Sequence, residues 1–127
     1  MSWQAYVDDQ LLATGKISKG AIIGKQGGIW AQSAGYNLSQ KEQDFIVKTA
    51  FQKPDEARAG GITLSGFKFM TIKADDEEVV GRKGERGVFL IPTTQAILVA
   101  EYDTPTPAGE ANVVVSKLGD YLKSVGY

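Results

Sequence analysis

Apolar positions recur at two different periods along this chain, and the switches between them mark out its elements. Ser2 can accept an otherwise orphan backbone N–H, which predicts a short first helix through Val7 to Leu12 that Gly15 ends. Residues 20–24 and 28–33 read as two strands, joined into a hairpin by the Gln26-Gly27-Gly28 turn. Ser39-Gln40-Lys41-Glu42 has the form of a capping box, in which Ser and Glu each satisfy a donor at the start of the helix. Phe45, Ile46 and Ala50 then give a helical apolar stripe that must stop by Pro54. Residues 55–59 supply one more turn before Gly60-Gly61 breaks it.

From Ile62 onward the period becomes that of short strands. These are residues 62–64, 67–73, 78–80, 88–91 and 95–101, separated by Ser65-Gly66, 74–77, 81–87 and 92–94. The glycine-rich segment 81–87 reads as a flexible hairpin turn. It lacks the Gly-Lys-Ser/Thr ending of a phosphate-binding loop, and no long helix follows it. A final helix opens after Thr104-Pro105-Thr106-Pro107, with Thr106 placed to cap it and Pro107 suited to its first position. Ala111, Val114, Val115, Leu118, Tyr121 and Leu122 follow at helical spacing.

Connections this short favour antiparallel neighbours over βαβ crossovers. The pattern predicts an α+β fold with a central antiparallel sheet of about seven strands. The N- and C-terminal helices should pack together on one face of it and the shorter middle helices on the other. No repeat, linker or low-complexity segment interrupts the chain, which reads as a single domain over residues 1–127.

Composition narrows the function classes. Hydrophobic residues at 43% and charged residues at 23% lie near the globular average, which disfavours disorder. The apolar runs 88–91 and 96–100 fall far short of the ~20 residues a bilayer helix needs. Met-Ser-Trp-Gln followed by Asp8 and Asp9 is neither basic nor apolar enough for a secretory signal, so a cytosolic address is expected. With no Cys and no His, disulfides, thiolate chemistry, the usual zinc sites and a His general base are all excluded. A net charge of −1 supplies no field to hold nucleic acid. The paired carboxylates Asp8-Asp9 and Asp75-Asp76 are sequence neighbours that point in different directions, and Lys16 and Lys25 have no evident partner to lower their pKa. A binding module is favoured over an enzyme, with no cofactor and no metal.

Aromatic residues concentrate at the two ends of the chain: Trp3 and Tyr6 at one, Tyr121 and Tyr127 at the other. Trp3 and Tyr6 are three apart and share a helix face, and Trp30 lies in the second strand. If the terminal helices pack side by side, all of these rings can form one strip. They read either as core, most readily for Tyr121 on the apolar stripe, or as an exposed patch kept for a ligand. The apt ligand is a polyproline II segment, which is already extended and leaves its carbonyls free for indole and phenol donors.

Met1-Ser-Trp-Gln-Ala-Tyr-Val-Asp8 resembles the N-terminal signature of the profilins almost letter for letter. The similarity continues in order through Ala21-Ile-Ile-Gly24, Trp30-Ala-Gln-Ser33, Gly66-Phe-Lys-Phe-Met70, Gln95-Ala-Ile-Leu-Val99 and Gly119-Asp-Tyr-Leu122. The resemblance implies the profilin fold and makes Trp3, Tyr6, Trp30, Tyr121 and Tyr127 the polyproline site. It implies binding of monomeric actin through the later strands and the last helix, where Lys73, Arg82, Lys83, Gly109, Asn112 and Lys117 match family contact positions. It further implies proline-rich partners such as formins, a monomeric state, and phosphoinositide contacts through Arg82, Lys83 and Arg86. Three basic groups near an anionic membrane, at ~1 kcal/mol each, would give weak, salt-sensitive attachment.

The chain also departs from the family. Glu77 and Val80 stand where many members have Arg and Tyr, and Pro92 replaces a position that is often basic. At ~0.5–1 kcal/mol per exposed charge pair, such losses on one face would sum to about tenfold or more in actin affinity. The alternatives are that the acidic stretch 75–78 is simply a solvated turn, or that the chain is a polyproline adaptor with weakened actin binding. A small enzyme on the same fold would need a pocket with a perturbed Lys or carboxylate, and the sequence offers none.

Overall fold

Strand alternation is what covers both faces of the sheet. The computed structural model describes residues 2–127. Its strands are β1 (Lys19–Gly24), β2 (Ile29–Gln32), β3 (Ile62–Leu64), β4 (Phe67–Ala74), β5 (Val79–Lys83), β6 (Arg86–Pro92) and β7 (Ala96–Tyr102). They form one sheet in the order β2-β1-β7-β6-β5-β4-β3, and every neighbouring pair is antiparallel. Ile22, Phe89, Ile91, Leu98 and Ala100 point to one face, while Ile23, Val88, Leu90, Ile97 and Val99 point to the other.

The first helix, α1, is α-helical over Trp3–Ala5, π-type over Tyr6–Leu11 and 3-10 over Leu12–Thr14. The second, α2, is α-helical over Gln40–Asp44 and π-type over Phe45–Thr49. Two regular helices follow, α3 (Pro54–Gly60) and α4 (Ala108–Ser124). Val7 and Leu11 of α1 and Val115, Leu118 and Leu122 of α4 are buried on the first face. Ile46, Ala50 and Ala57 from the middle helices are buried on the second. The terminal helices thus share one side of the sheet, as the pattern predicts.

The expected caps at Ser2 and Ser39 both form. Ser2 Oγ accepts from Ala5 N at 3.1 Å. Ser39 Oγ accepts from Glu42 N at 3.1 Å, and Ser39 N donates to Glu42 Oε1 at 3.0 Å. Glu42 does more than cap, because its carboxylate also accepts from Ser65 N and Gly66 N and so fixes the β3–β4 turn to α2.

Two local expectations need correction. Segment 81–87 is mostly strand: Gly81, Arg82 and Lys83 pair with Val88, Gly87 and Arg86, which leaves Gly84-Glu85 as the turn. Gly81 and Gly87 serve close packing rather than flexibility. A Cβ on Gly81 would lie 2.9 Å from both Ile62 and Phe69, and one on Gly87 would overlap the Tyr102 ring. At the start of α4, Pro107 occupies the N-cap in extended conformation (φ −70°, ψ 151°) and Thr106 does not cap. Proline's fixed φ suits that position as well as the first helical turn, and Thr106 N donates instead to Asp103 O at 2.9 Å.

Candidate functional site

The antiparallel packing of α1 against α4 brings the start of one helix to the end of the other, and with them the aromatic ends of the chain. Trp3 is the hub. Its ring centroid lies 5.5 Å from Tyr6, 4.6 Å from Trp30 and 5.0 Å from Tyr127. Tyr6 continues the strip to Tyr121 at 6.2 Å. None of these rings is fully buried: Tyr121 and Tyr127 are 50% and 41% exposed, and the others are partly covered. The Tyr6 phenol is pushed above its ordinary value, first by interaction of its hydroxyl with that of Tyr121 and then by desolvation.

Trp30 reaches this strip through a feature that strand period alone does not reveal. Ile22 pairs with Ala31 and Ile23 with Ile29, so Trp30 is the extra residue of a β-bulge. A bulge re-aims a side chain, and here Trp30 joins Ala31 on the face that carries α1 and α4. Gly24 makes the room, since a Cβ there would come within 2.6 Å of the indole nitrogen. Gln4 ties α1 to β2 by donating to Gln32 O at 2.9 Å. Tyr127 is held by main-chain bonds: its N–H donates to Leu122 O, and its oxygen accepts from Gln95 N and Thr93 Oγ1. Gly24, Gln4, Thr93 and Gln95 are thus positioning residues that periodicity does not single out.

A second surface lies beyond the edge of α4, which packs over β6 and β7 and leaves the outer side of β4 open. Met70 and Ile72 stand there 73% and 60% exposed. Thr71 pairs with Gly81 and Lys73 with Val80, so Ile72 is again a bulged residue turned outward. Lys73 and Arg82 share this side. Glu78 links the surface to α4, accepting from Lys73 Nζ at 2.9 Å and from Asn112 Nδ2 at 3.3 Å. The contact with Glu78 raises the Lys73 pKa above its ordinary value. Gly109 is exposed one turn before Asn112. Met70 and Ile72 escaped the sequence reading because apolar residues in a strand are expected to point inward.

Not every expected contact joins this group. Lys117 faces a groove between α1 and α4 together with Tyr6 and Tyr121. Lys83 follows Arg82 in the strand, points to the opposite face and lies 5.5 Å over the Phe67 ring. Arg86 is on that same opposite side, stacked 3.6 Å from Phe67 and paired with Glu101 at 3.0 Å. Arg82, Lys83 and Arg86 therefore do not form one basic cluster. The three departures from the family do not share a surface either: Val80 is buried among core residues, while Glu77 and Pro92 line a cleft beside Lys73. The acidic turn has internal order. Asp75 Oδ1 accepts from Glu77 N and Glu78 N, and these bonds from Glu78 and Glu77 lower its carboxyl pKa.

Among the described residues no group of His, Cys, Asp and Glu is placed to hold a metal ion, and no helix is long and apolar enough to cross a membrane.

Comparison with known proteins agrees with this fold. The family model described as Profilin matches residues 1–127. Profilin-1 of Dictyostelium discoideum is 46% identical over 128 residues, covering 100% of both chains. The solved structure of Acanthamoeba castellanii profilin IB superposes with a TM-score of 0.95 at 41% identity, covering 99% of this chain and 100% of that one. Mouse profilin IIa, in complex with a double repeat from the FH1 domain of mDia1, shares the fold at a TM-score of 0.81 and 20% identity, with 100% of both chains covered.

Proposed function

The chain belongs to the profilin family, and from that membership we propose that it regulates actin filament assembly by holding an actin monomer on one surface and a proline-rich segment on another. The observation that carries the second half is the continuous aromatic strip centred on Trp3. A polyproline II segment loses little ordering entropy on such ridges, and its unpaired carbonyls meet the indole and phenol donors. The mouse relative's complex with an FH1 repeat accords with a peptide ligand of this kind. Tethering to a formin would raise the local concentration of actin near a growing filament end. The chain itself performs no chemistry; it holds the monomer by its barbed end in the cytoplasm, and any effect on actin nucleotide exchange is indirect.

Titrating the intrinsic Trp fluorescence with a ten-proline peptide tests the peptide half. Trp3 and Trp30 both lie in the strip, so a saturable change is expected, and a flat response at millimolar peptide would sink the reading.

The actin half rests on Met70, Ile72, Lys73, Arg82, Gly109 and Asn112. Exposed apolar side chains ringed by charge suit a partner surface, with ~1–2 kcal/mol to be gained on covering each. The double change Met70→Asp and Ile72→Asp should therefore weaken sequestration of monomeric actin more than tenfold while leaving peptide binding intact. Equal loss of both activities would show that the two surfaces are not separate. The cleft that Glu77 and Pro92 share with Lys73 favours the second reading, an adaptor with weakened actin binding. In that case the parent binds the peptide normally and sequesters little actin.

A further inference from the structure

Met70, on the outer side of β4, is the most exposed large apolar side chain among the described residues. The sequence holds two methionines, Met1 and Met70, and no cysteine, so no thiol competes with these thioethers for an oxidant. Phe69 beside it is fully buried on the other face of the strand, so chemistry at Met70 leaves the core alone. In register Met70 lies opposite Arg82 of β5. Residues paired in this way carry their side chains on one face, about 5 Å apart. Arg82 Nε donates to Gly84 O at 3.0 Å, and the guanidinium makes no ion pair among the described residues. An unpaired cation therefore stands beside the thioether.

We propose that Met70 is a reversible oxidation site whose sulfoxide weakens the actin-binding surface while leaving the aromatic strip competent. The inference rests on the actin-binding reading given above. Hydrogen peroxide supplies the oxygen: the sulfur lone pair attacks one peroxide oxygen, the O–O bond breaks, and water leaves. The thioether loses two electrons and the peroxide gains them. A dithiol-dependent methionine sulfoxide reductase returns the sulfide, with a disulfide and water as the other products. The geometry gives this modification two effects. It makes an apolar contact polar, so covering Met70 with a partner surface costs desolvation instead of gaining from burial. The new oxygen is also an acceptor beside Arg82, and it engages a cation that the actin reading needs. One added oxygen thus removes two contacts, which separates Met70 from a methionine that is merely exposed. Ile72, the other exposed apolar residue of β4, has no such chemistry.

The test treats the full chain with millimolar hydrogen peroxide, quenches with catalase and only then adds actin, so that actin itself is not oxidised. Mass analysis of the tryptic peptide 69–73 reads the added oxygen at Met70 directly. Oxidation should weaken sequestration of monomeric actin about five- to tenfold, with ten-proline peptide binding and the urea midpoint unchanged. Methionine sulfoxide reductase with dithiothreitol should restore it. Met70→Leu should keep its sequestration through the same treatment, and Met70→Gln should show the loss without any treatment. Added oxygen at Met70 with no loss of sequestration overturns this inference alone, as does an equal loss in Met70→Leu. A matching loss of peptide binding also overturns it, because the strip is then not spared. If the untreated chain sequesters no actin, both this inference and the actin reading beneath it fall.

Discussion

Replacing Trp3 with alanine is expected to weaken binding of a ten-proline peptide by about thirtyfold or more, the largest loss of any single ring in the strip. The reason is position. Trp3 contacts Tyr6, Trp30 and Tyr127, whereas Tyr121 has a single aromatic neighbour, Tyr6 at 6.2 Å. Truncation removes one ligand platform and also releases three others whose orientations it sets. Aromatic pairs contribute ~0.5–1.5 kcal/mol each, so losing the hub's share of ligand contact and preorganisation should cost about 2 kcal/mol or more. Tyr121→Ala, at the edge, should cost roughly three- to tenfold by the same reckoning. Calorimetry is the suitable measurement, because the substitution itself changes the fluorescence signal. Equal losses at both positions would mean that the rings act independently and that the hub is only geometric.

That ranking of rings was only partly legible in the sequence. The pairing of Trp3 with Tyr6 follows from helical spacing, and the meeting of both chain ends follows from predicting the terminal helices on one face. Trp30 is different. Strict alternation in β2 would have left its face ambiguous, and the bulge opposite Ile22 and Ile23 settles it. Bulges insert one residue without a compositional signature, so a period-two reading slips beyond them. The same physics hid Ile72, which the bulge in β4 turns outward. The glycines of 81–87 misled in the opposite direction. Glycine marks a turn or a close approach equally well, and only the neighbours of Gly81 and Gly87 decide between them. What could be read with ease was the layering, because buried residues on both sides of β1, β6 and β7 demand helices on both faces.

Charge was the hardest property to read, and Arg86 shows why. By sequence it belongs with Arg82 and Lys83 as a surface cation, but strand alternation sends it to the opposite face from Arg82. There its guanidinium stacks 3.6 Å from the Phe67 ring and pairs with Glu101, a carboxylate only 1% exposed. Tyr36 lies in the same buried neighbourhood, its phenol pushed up by burial and then by the Glu101 charge. Tyr36 Oη and Glu101 Oε2 have no hydrogen-bond partner among the described residues, so Glu101 depends heavily on Arg86. Arg86→Met keeps much of the apolar stem but removes the only ion pair that Glu101 makes among the described residues. Because it strands a buried charge, it should lower stability by about 3 kcal/mol, against a total of ~5–15 kcal/mol for a typical domain. A second change, Glu101→Gln, should recover a substantial part of that loss, since a neutral amide is far cheaper to bury than a lone carboxylate. Urea midpoints for the parent, both single variants and the double variant give the coupling directly. A loss below about 1 kcal/mol in Arg86→Met, or no recovery in the double variant, would return Arg86 to the pool of surface cations available to an anionic ligand.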